Sequence, residues 1–196
     1  MSSVETPDAR PLRADARRNR ERVLAAARDA LADHGLDAQI DDIAERAGVG
    51  VGTVYRHFPT KEALFDALVG ERWLKLAEAA GPSFDADDAW EGLTDFLWRA
   101  AYLHRDNRAW GQLAAAAPLE FGRDEQQELL RVTGELLKRA QKSGQARKDL
   151  TAQDIGMLMC GTCGVMQTTG DDRWERFFSI ALEGLRARTS GRSRRA

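Results

Sequence analysis

The side chains of this chain best suited to recognition chemistry lie in residues 49–64, VGVGTVYRHFPTKEAL. Four of them carry hydrogen-bond donors that suit phosphate oxygens: Thr53, Tyr55, His57 and Lys61. Arg56 has a guanidinium that can pair with a guanine through two bonds, a contact worth about 1–3 kcal/mol of discrimination. A lone tyrosine or histidine on a helix is more often a packing residue. The grouping of these side chains on one short segment is therefore the informative feature.

Two short helices joined by a glycine turn are predicted to position these residues. Apolar residues recur at helical spacing in IDDIAERA and again in VGTVYRHF, and Gly48 closes the first helix where a left-handed residue is needed. We expect Val54 and Phe58 to anchor the second helix to a core that includes Leu24, Ile43 and Leu64. This pattern predicts a helix-turn-helix, whose second helix enters the DNA major groove.

The other periodic segments also predict helices, so the expected fold is all-α with about nine helices. The first helix runs from about Ala16 to His34. A fourth begins after Pro59 and Thr60, and five more are expected over 86–105, 107–117, 124–143, 152–168 and 172–188. We expect a disordered, arginine-containing arm (1–15), a helix-turn-helix domain (16–62), a larger helical domain (63–189) and a disordered basic tail (190–196).

The charge of the chain is informative through its distribution. A net charge of -2 alone argues against a nucleic-acid partner. However, seven arginines and only two acids lie between Arg10 and Arg28, whereas Asp29–Glu45 holds six acids and no Lys or Arg. The basic stretch suits DNA, although a solvated charged surface explains it equally well. The sequence lacks the run of about 18 apolar residues that a membrane helix needs and an evident secretory signal, so we expect a cytoplasmic protein without a membrane partner.

The cysteines and histidines do not form a recognisable catalytic or metal site. Cys160 and Cys163 are the two cysteines, too few for a four-thiolate zinc site. Their CxxC spacing leaves a redox pair as an alternative, but the expected setting inside a helix favours two small packing residues. HExxH, P-loop and GxSxG motifs do not occur in the sequence. We therefore expect no enzyme activity, cofactor or metal.

The stretch VLAAARDALADHGLDAQIDDIAERAGVGVGTVYRHFPTKEALFDAL resembles the DNA-binding domain of the TetR family of bacterial transcriptional regulators. The resemblance implies a homodimeric repressor that binds a palindromic operator on double-stranded DNA and is released by a small-molecule effector. It implies phosphate contacts at Thr53, Tyr55, His57 and Lys61, and base contacts near Val51, Gly52 and Arg56. Gln39 and Gly50 stand where the family usually has Ser or Thr caps, so we expect Arg17 and Arg18 in the minor groove, or DNA shape, to add specificity.

The second half of the chain resembles a known group less closely. LLKRAQKSGQARKDLTAQDIGMLM is similar to the C-terminal domain of actinobacterial TetR-type regulators. In a family-typical pocket, the effector would contact six aromatic or methionine side chains: Trp73, Phe96, Tyr102, Trp110, Met157 and Met166. The family dimer would use small and apolar residues of the last two helices: Gly156, Cys160, Gly164, Trp174, Phe177, Phe178 and Ala181.

Two alternatives to a ligand-released repressor remain at this point. One is a regulator with the same DNA-binding head that senses oxidants through Cys160 and Cys163. The other is a small-molecule-binding or interaction protein whose head no longer recognises an operator, an idea suggested by the glycines at positions 50 and 52.

Overall fold

The computed structural model describes residues 9–105, 122–169 and 173–187, and these ranges are mainly helical. They contain eight α-helices: α1 (Ala9–His34), α2 (Ile40–Ala47), α3 (Val51–His57), α4 (Lys61–Glu78), α5 (Ala89–Arg105), α6 (Arg123–Lys142), α7 (Ala152–Thr169) and α8 (Arg173–Glu183). The predicted all-α class is confirmed. The helix expected over 107–117, together with Trp110 and the basic tail, lies outside the described residues. None of the described helices combines the length and the apolar character of a membrane span.

The chain divides into two compact units, and the boundary falls between Leu68 and Val69, inside α4. We refer to them as the N-terminal and the C-terminal unit. The sequence-based boundary, after residue 62, lies six residues earlier, close to the start of α4.

The N-terminal unit is built around the buried side of α1. Val23, Leu24 and Ala27 recur three and four residues apart and are buried. The five residues expected to anchor α3 are buried as well, as predicted: Leu24, Ile43, Val54, Phe58 and Leu64.

The start of α1 differs from the prediction. The helix begins at Ala9 rather than near Ala16, so residues 9–15 are helical and not a disordered arm. Arginine, alanine and leucine are good helix formers. Ion pairs one turn apart, Asp15 with Arg18 and Arg17 with Glu21, add to the stability of this end.

In the C-terminal unit, α5 packs on α6 and α7, and α7 packs in turn on α6 and α8. The core contains large apolar side chains from all four helices, among them Leu93, Leu97, Leu136, Ile155 and Phe178. Local caps fix where two of the helices begin. The Asp88 carboxylate accepts the Glu91 amide at 2.8 Å, and Thr151 and Asp154 bond each other's amides before α7.

The last helix is shorter than the sequence predicted, because α8 ends at Glu183 instead of near residue 188. After Gly184 the chain forms an antiparallel bridge between Ala146 and Arg186. The Arg147 amide donates to the Leu185 carbonyl at 3.0 Å, and the Ala187 amide donates to the Gln145 carbonyl at 2.8 Å. These bonds hold the end of α8 against the loop between α6 and α7.

Candidate nucleic-acid interface

The turn between α2 and α3 has the conformation that the sequence predicted. Gly48 ends α2 with φ 62° and ψ 39°, in the left-handed region. Its amide donates to the Glu45 carbonyl at 2.9 Å, and the Val49 amide donates to the Ala44 carbonyl at 3.0 Å, which is the Schellman arrangement. The chain is extended at Gly50, and α3 starts at the next residue.

The two unusual caps are also seen in the structure. Gly50 takes the N-cap position of α3, where it has no side chain to bond the helix amides. Gln39 takes the N-cap position of α2, but its side chain donates to the Asp37 carbonyl at 2.6 Å instead of capping the helix.

Helix α3 has a buried side and an exposed side. Val54 and Phe58 are buried, whereas Gly52, Tyr55 and Arg56 are exposed. No described atom lies within 4 Å of the place where a Cβ on Gly52 would be, so the helix surface is open there. Val51 and Thr53 are half-buried beside these residues. The exposed side therefore offers an arginine, a tyrosine and bare backbone to a partner.

His57 is less accessible than the prediction of a phosphate contact assumed. Its Nε2 atom is buried and has no hydrogen-bond partner within the described part of the chain. The imidazole lies against Phe58, with 6.4 Å between the ring centroids. A bond from Nε2 to a phosphate requires the ring to turn outward.

Lys61 lies in the first turn of α4, as predicted, and its Nζ is 5.4 Å from the centre of the Phe65 ring. Thr60 caps the helix, because its Oγ1 accepts the Ala63 amide at 3.1 Å. Bonds from its own backbone amide and from Thr60 lower the pKa of Glu62. A phosphate at this helix end has to compete with that carboxylate, since both seek the same donors.

Arg17 and Arg18 are exposed on α1, near the acids of their own helix. Arg17 Nε lies 3.7 Å from Glu21 Oε1, and Arg18 bonds Asp15. Exposed pairs of this kind contribute little to stability, so both guanidinium groups can exchange partners.

Arg46 of α2 forms hydrogen bonds with two carboxylates of the acidic stretch Asp29–Glu45. Arg46 donates to Asp33 of α1 at 2.7 Å and to Asp42 at 2.9 Å. Both carboxylates raise the pKa of Arg46, and the bond to Arg46 lowers the pKa of Asp33. This bridge links α2 to α1 on the surface, just before the turn that follows α2.

The side chains predicted to contact an effector differ in how far they are buried. Phe96 is in the core, whereas Met157 is 66% exposed. Tyr102 is also exposed; its hydroxyl donates to Glu175 at 3.0 Å and its ring meets Trp174 edge-on at 5.3 Å. Trp73 and Met166 are half-buried. The helical period alone did not show which sides of α5 and α7 point inward.

The predicted dimer residues also separate into two groups. Trp174 and Phe178 are 2% and 0% exposed, because they pack in the core of their own chain. Gly156 and Ala181 are half-buried, and three of the residues are exposed: Cys160, Gly164 and Phe177. Met157 and Ile180, which the sequence did not assign to this surface, are exposed beside them. Their spacing of one helical turn from Cys160 and Phe177 was the signal available in the sequence.

Three titratable side chains interact electrostatically in the C-terminal unit: Arg72, His104 and Cys163. Burial and the charge of Arg72 lower the pKa of His104 to about 4. His104 Nδ1 is buried and has no hydrogen-bond partner among the described residues. Arg72 donates to the carbonyl of Leu103, next to His104. In the sequence, the CxxC motif marked Cys163, but the spacing did not link it to Arg72 or His104.

The pKa of Cys163 argues against a redox pair. Burial and the neighbouring Cys160 raise the pKa of the Cys163 thiol to about 11. Redox-active cysteines have a lowered pKa, since the thiolate is the reactive form. Cys160 is exposed, contrary to the expectation that both cysteines are packing residues. Within the described ranges, no group of three His, Cys, Asp or Glu residues is placed to hold a metal ion.

Two family models match the chain and together cover most of it. Residues 23–68 match the model for bacterial regulatory proteins of the tetR family. Residues 90–187 match the model for the C-terminal domain of SbtR-like transcriptional regulators.

The chain is also similar to individual transcriptional regulators. A crystal structure of the TetR transcription regulatory protein from Mycobacterium vanbaalenii is 36% identical, with a TM-score of 0.64, and the alignment covers 90% of this chain and 100% of that one. The HTH-type regulator TtgW of Pseudomonas putida is 34% identical over 43% of this chain and 64% of that protein. EthR of Mycobacterium tuberculosis is 31% identical over 50% of this chain and 49% of that protein. The alignments thus span less than two thirds of these two curated relatives.

Proposed function

The chain belongs to the TetR family of bacterial transcriptional regulators, and from this premise we propose that it is a homodimeric repressor that binds a palindromic operator and is released by a small-molecule effector. Members of the family are DNA-binding regulators rather than enzymes, bind small molecules and act as dimers. The palindrome, the self-association and the release by an effector are the proposed steps for this chain.

The division of α3 into two sides is the observation that carries the proposal. Val54 and Phe58 hold the helix to the N-terminal unit, so Tyr55 and Arg56 are presented to solvent. In a helix-turn-helix, the side chains exposed in this way face the major groove. We assign phosphate contacts to four residues: Thr53, Tyr55, His57 and Lys61.

Base reading is assigned mainly to Arg56. Val51 and Gly52 begin the helix and allow close approach, but they offer no side-chain donor to a base edge. We therefore propose that Arg56 selects a guanine in each half-site. Arg17 and Arg18 are proposed to exchange their acidic partners for the minor groove, where narrow stretches attract arginine.

The proposed dimer places α7 and α8 of two copies against each other. Met157, Phe177 and Ile180 are large apolar side chains exposed on these helices. Cys160 and Gly164 are small, exposed residues of α7. Because their side chains are short, a helix of a second copy can approach α7 closely at these positions. A twofold axis uses the same patch on both copies, as a palindromic operator requires.

The effector is proposed to bind in the C-terminal unit. Trp73 and Met166 are half-buried there and remain candidates for apolar contacts. We propose that polar contacts to the effector come from three side chains of the same unit: Arg72, His104 and Cys163.

Selection of DNA from a random duplex library tests the proposal without knowledge of the target gene. We expect the chain to enrich a palindrome and to bind it with steep salt dependence, because lysines and arginines displace counterions from phosphates. The double variant Tyr55→Phe, Lys61→Ala should weaken binding at least about tenfold and flatten the salt slope by roughly one unit.

The matched control is Lys138→Ala, an exposed lysine of α6 in the C-terminal unit. It removes the same charge as Lys61→Ala but should leave affinity and slope unchanged. A selection that enriches no palindrome contradicts the proposed repressor. Unchanged binding by the Tyr55 and Lys61 variant contradicts the assigned contacts.

A further inference from the structure

The four arginines at positions 17–22 of α1 form two pairs with different partners. Arg17 and Arg18 lie next to acids of α1 itself. Arg20 and Arg22 instead contact residues at the two ends of the α3 region. The sequence singled out Arg17 and Arg18 for DNA but held no signal for the contacts of Arg20 and Arg22.

Arg22 contacts the end of α2. Its Nη2 donates to the Gly48 carbonyl at 3.3 Å. A Cβ on Gly48 would lie 2.6 Å from the same Nη2 atom, so the guanidinium fills the space beside the glycine. A cation at a helix C-terminus also interacts favourably with the partial negative charge of the helix end.

Arg20 contacts the other end of the motif. Its Cζ lies 5.2 Å from the centre of the Phe58 ring, within the range of a cation–π interaction. Phe58 follows the last residue of α3 and is buried, and its amide donates to the Val54 carbonyl at 2.8 Å. The guanidinium of Arg20 therefore lies over the residue that closes α3.

We propose that Arg20 and Arg22 are positioning residues that orient α3, Arg22 through the turn before the helix and Arg20 through the residue after it, and that they do not contact the operator phosphates. Helix α3 has seven residues, too few to be stable alone, so its orientation depends on its neighbours. Arg22 fixes Gly48, where the turn begins, and Arg20 fixes Phe58, the residue after the helix. This inference rests on the proposed operator binding. The contacts of Arg22 with Gly48 and of Arg20 with Phe58, which we call the arginine clamp, are a property of the free protein.

The salt dependence of binding distinguishes a positioning arginine from a phosphate contact. Each phosphate contact that is lost flattens the logarithmic salt slope by about 0.9. An arginine that acts through Gly48 or Phe58 changes affinity without changing the number of released counterions.

The experiment compares Arg20→Met, Arg22→Met and their combination with the wild-type chain on the palindrome that the chain itself selects. Methionine keeps the length and apolar stem of the side chain but removes the charge and the donors. We expect each single variant to raise the dissociation constant by roughly three- to tenfold with an unchanged slope between about 50 and 200 mM salt. Arg131→Met, whose guanidinium pairs with Glu128 and Glu135 of its own helix α6, is the control with the same loss of charge.

A second arm tests the coupling to Phe58. Phe58→Leu keeps an apolar side chain at the buried site but removes the ring that Arg20 covers. In a double-mutant cycle, the loss of affinity from Arg20→Met should be much smaller in the Phe58→Leu background than in the wild type. Additive losses contradict the proposed role of Arg20.

A third arm needs no DNA. Hydrogen exchange followed by mass spectrometry on the free, full-length chain should show faster exchange at residues 48–58 in both arginine variants, and wild-type exchange in Arg131→Met. Unchanged exchange contradicts the clamp, and so does a slope that falls by about 0.9 per arginine. If no palindrome is enriched, the repressor proposal fails, and the exchange data still decide whether the clamp exists.

Discussion

A Cβ built on Gly122 would lie 2.8 Å from the backbone nitrogen of Gly70, which places the start of α6 directly against α4. The approach is close in the other direction as well, because a Cβ on Gly70 would lie 2.9 Å from the Glu125 carboxyl carbon. Gly122 also has φ 60°, a conformation that side chains disfavour. Two glycines thus allow two helices of the C-terminal unit to pack with their backbones almost in contact.

We predict that Gly122→Ala lowers the free energy of unfolding by about 2–4 kcal/mol, the sum of backbone strain and overpacking. Gly144→Ala is the matched control, because Gly144 has φ 77° and no described atom within 4 Å of its Cβ position. That variant should lose only the strain, about 1–2 kcal/mol. Urea unfolding followed by circular dichroism gives both values, and equal losses would show that the close approach to α4 is unimportant.

A charge on the outer side of α8 should prevent self-association. Ile180 is 58% exposed, and in the proposed dimer Ile180→Glu brings two carboxylates into an apolar contact. We expect the dimer dissociation constant to rise on the order of 100-fold or more.

Leu74→Glu provides the comparison for that variant, since Leu74 is an exposed leucine of α4, a helix outside the proposed dimer surface. It should leave the dimer intact in sedimentation equilibrium. Dimerisation of the Ile180→Glu chain with wild-type affinity would place the interface elsewhere.

Acid should destabilise the C-terminal unit through His104. Its pKa is about 4 in the folded chain and near 6.5 when unfolded, so the unfolded chain takes up a proton first as the pH falls. The neutral His104 side chain makes its full contribution to the free energy of unfolding above pH 6.5. This contribution is lost progressively between pH 6.5 and about pH 4. The difference corresponds to an upper limit of about 3 kcal/mol, since one pKa unit equals about 1.36 kcal/mol.

His104→Gln removes the titrating ring and should flatten the pH dependence of unfolding in that interval. Chemical denaturation at a series of pH values measures the effect. Parallel profiles for the variant and the wild-type chain would mean that His104 does not titrate as its burial near Arg72 implies.

The two cysteines should differ in reactivity. With a pKa of about 11, Cys163 is almost entirely a protonated thiol at neutral pH, whereas Cys160 is exposed. In the dissociated Ile180→Glu chain, where no second copy covers α7, iodoacetamide should therefore alkylate Cys160 first, as peptide mass spectrometry can measure. In Cys160→Ser, the remaining thiol should react far more slowly than free cysteine. Rapid alkylation of Cys163, or a disulfide that alters DNA binding, would revive a redox role.

The sequence by itself determined the helix-turn-helix, because the signals that define it are local. Gly48 takes a left-handed turn, Thr60 caps α4, and Val54 and Phe58 lie one helical turn apart on the buried side. Each of these features depends on the chemistry of residues a few positions apart. The same helical spacing predicted that Arg56 lies on the exposed side of α3.

Only the tertiary structure decided which sides of the later helices are interior. Phe177 and Phe178 are adjacent and identical, yet the first is 40% exposed and the second is fully buried. Neighbouring residues on a helix point about 100° apart, and the helix packed alongside determines which of them it covers. The contacts of Arg20 with Phe58, and of Arg22 with Gly48, likewise join positions more than twenty residues apart. Such contacts follow from how helices meet in space, which the spacing of residues along one helix does not specify.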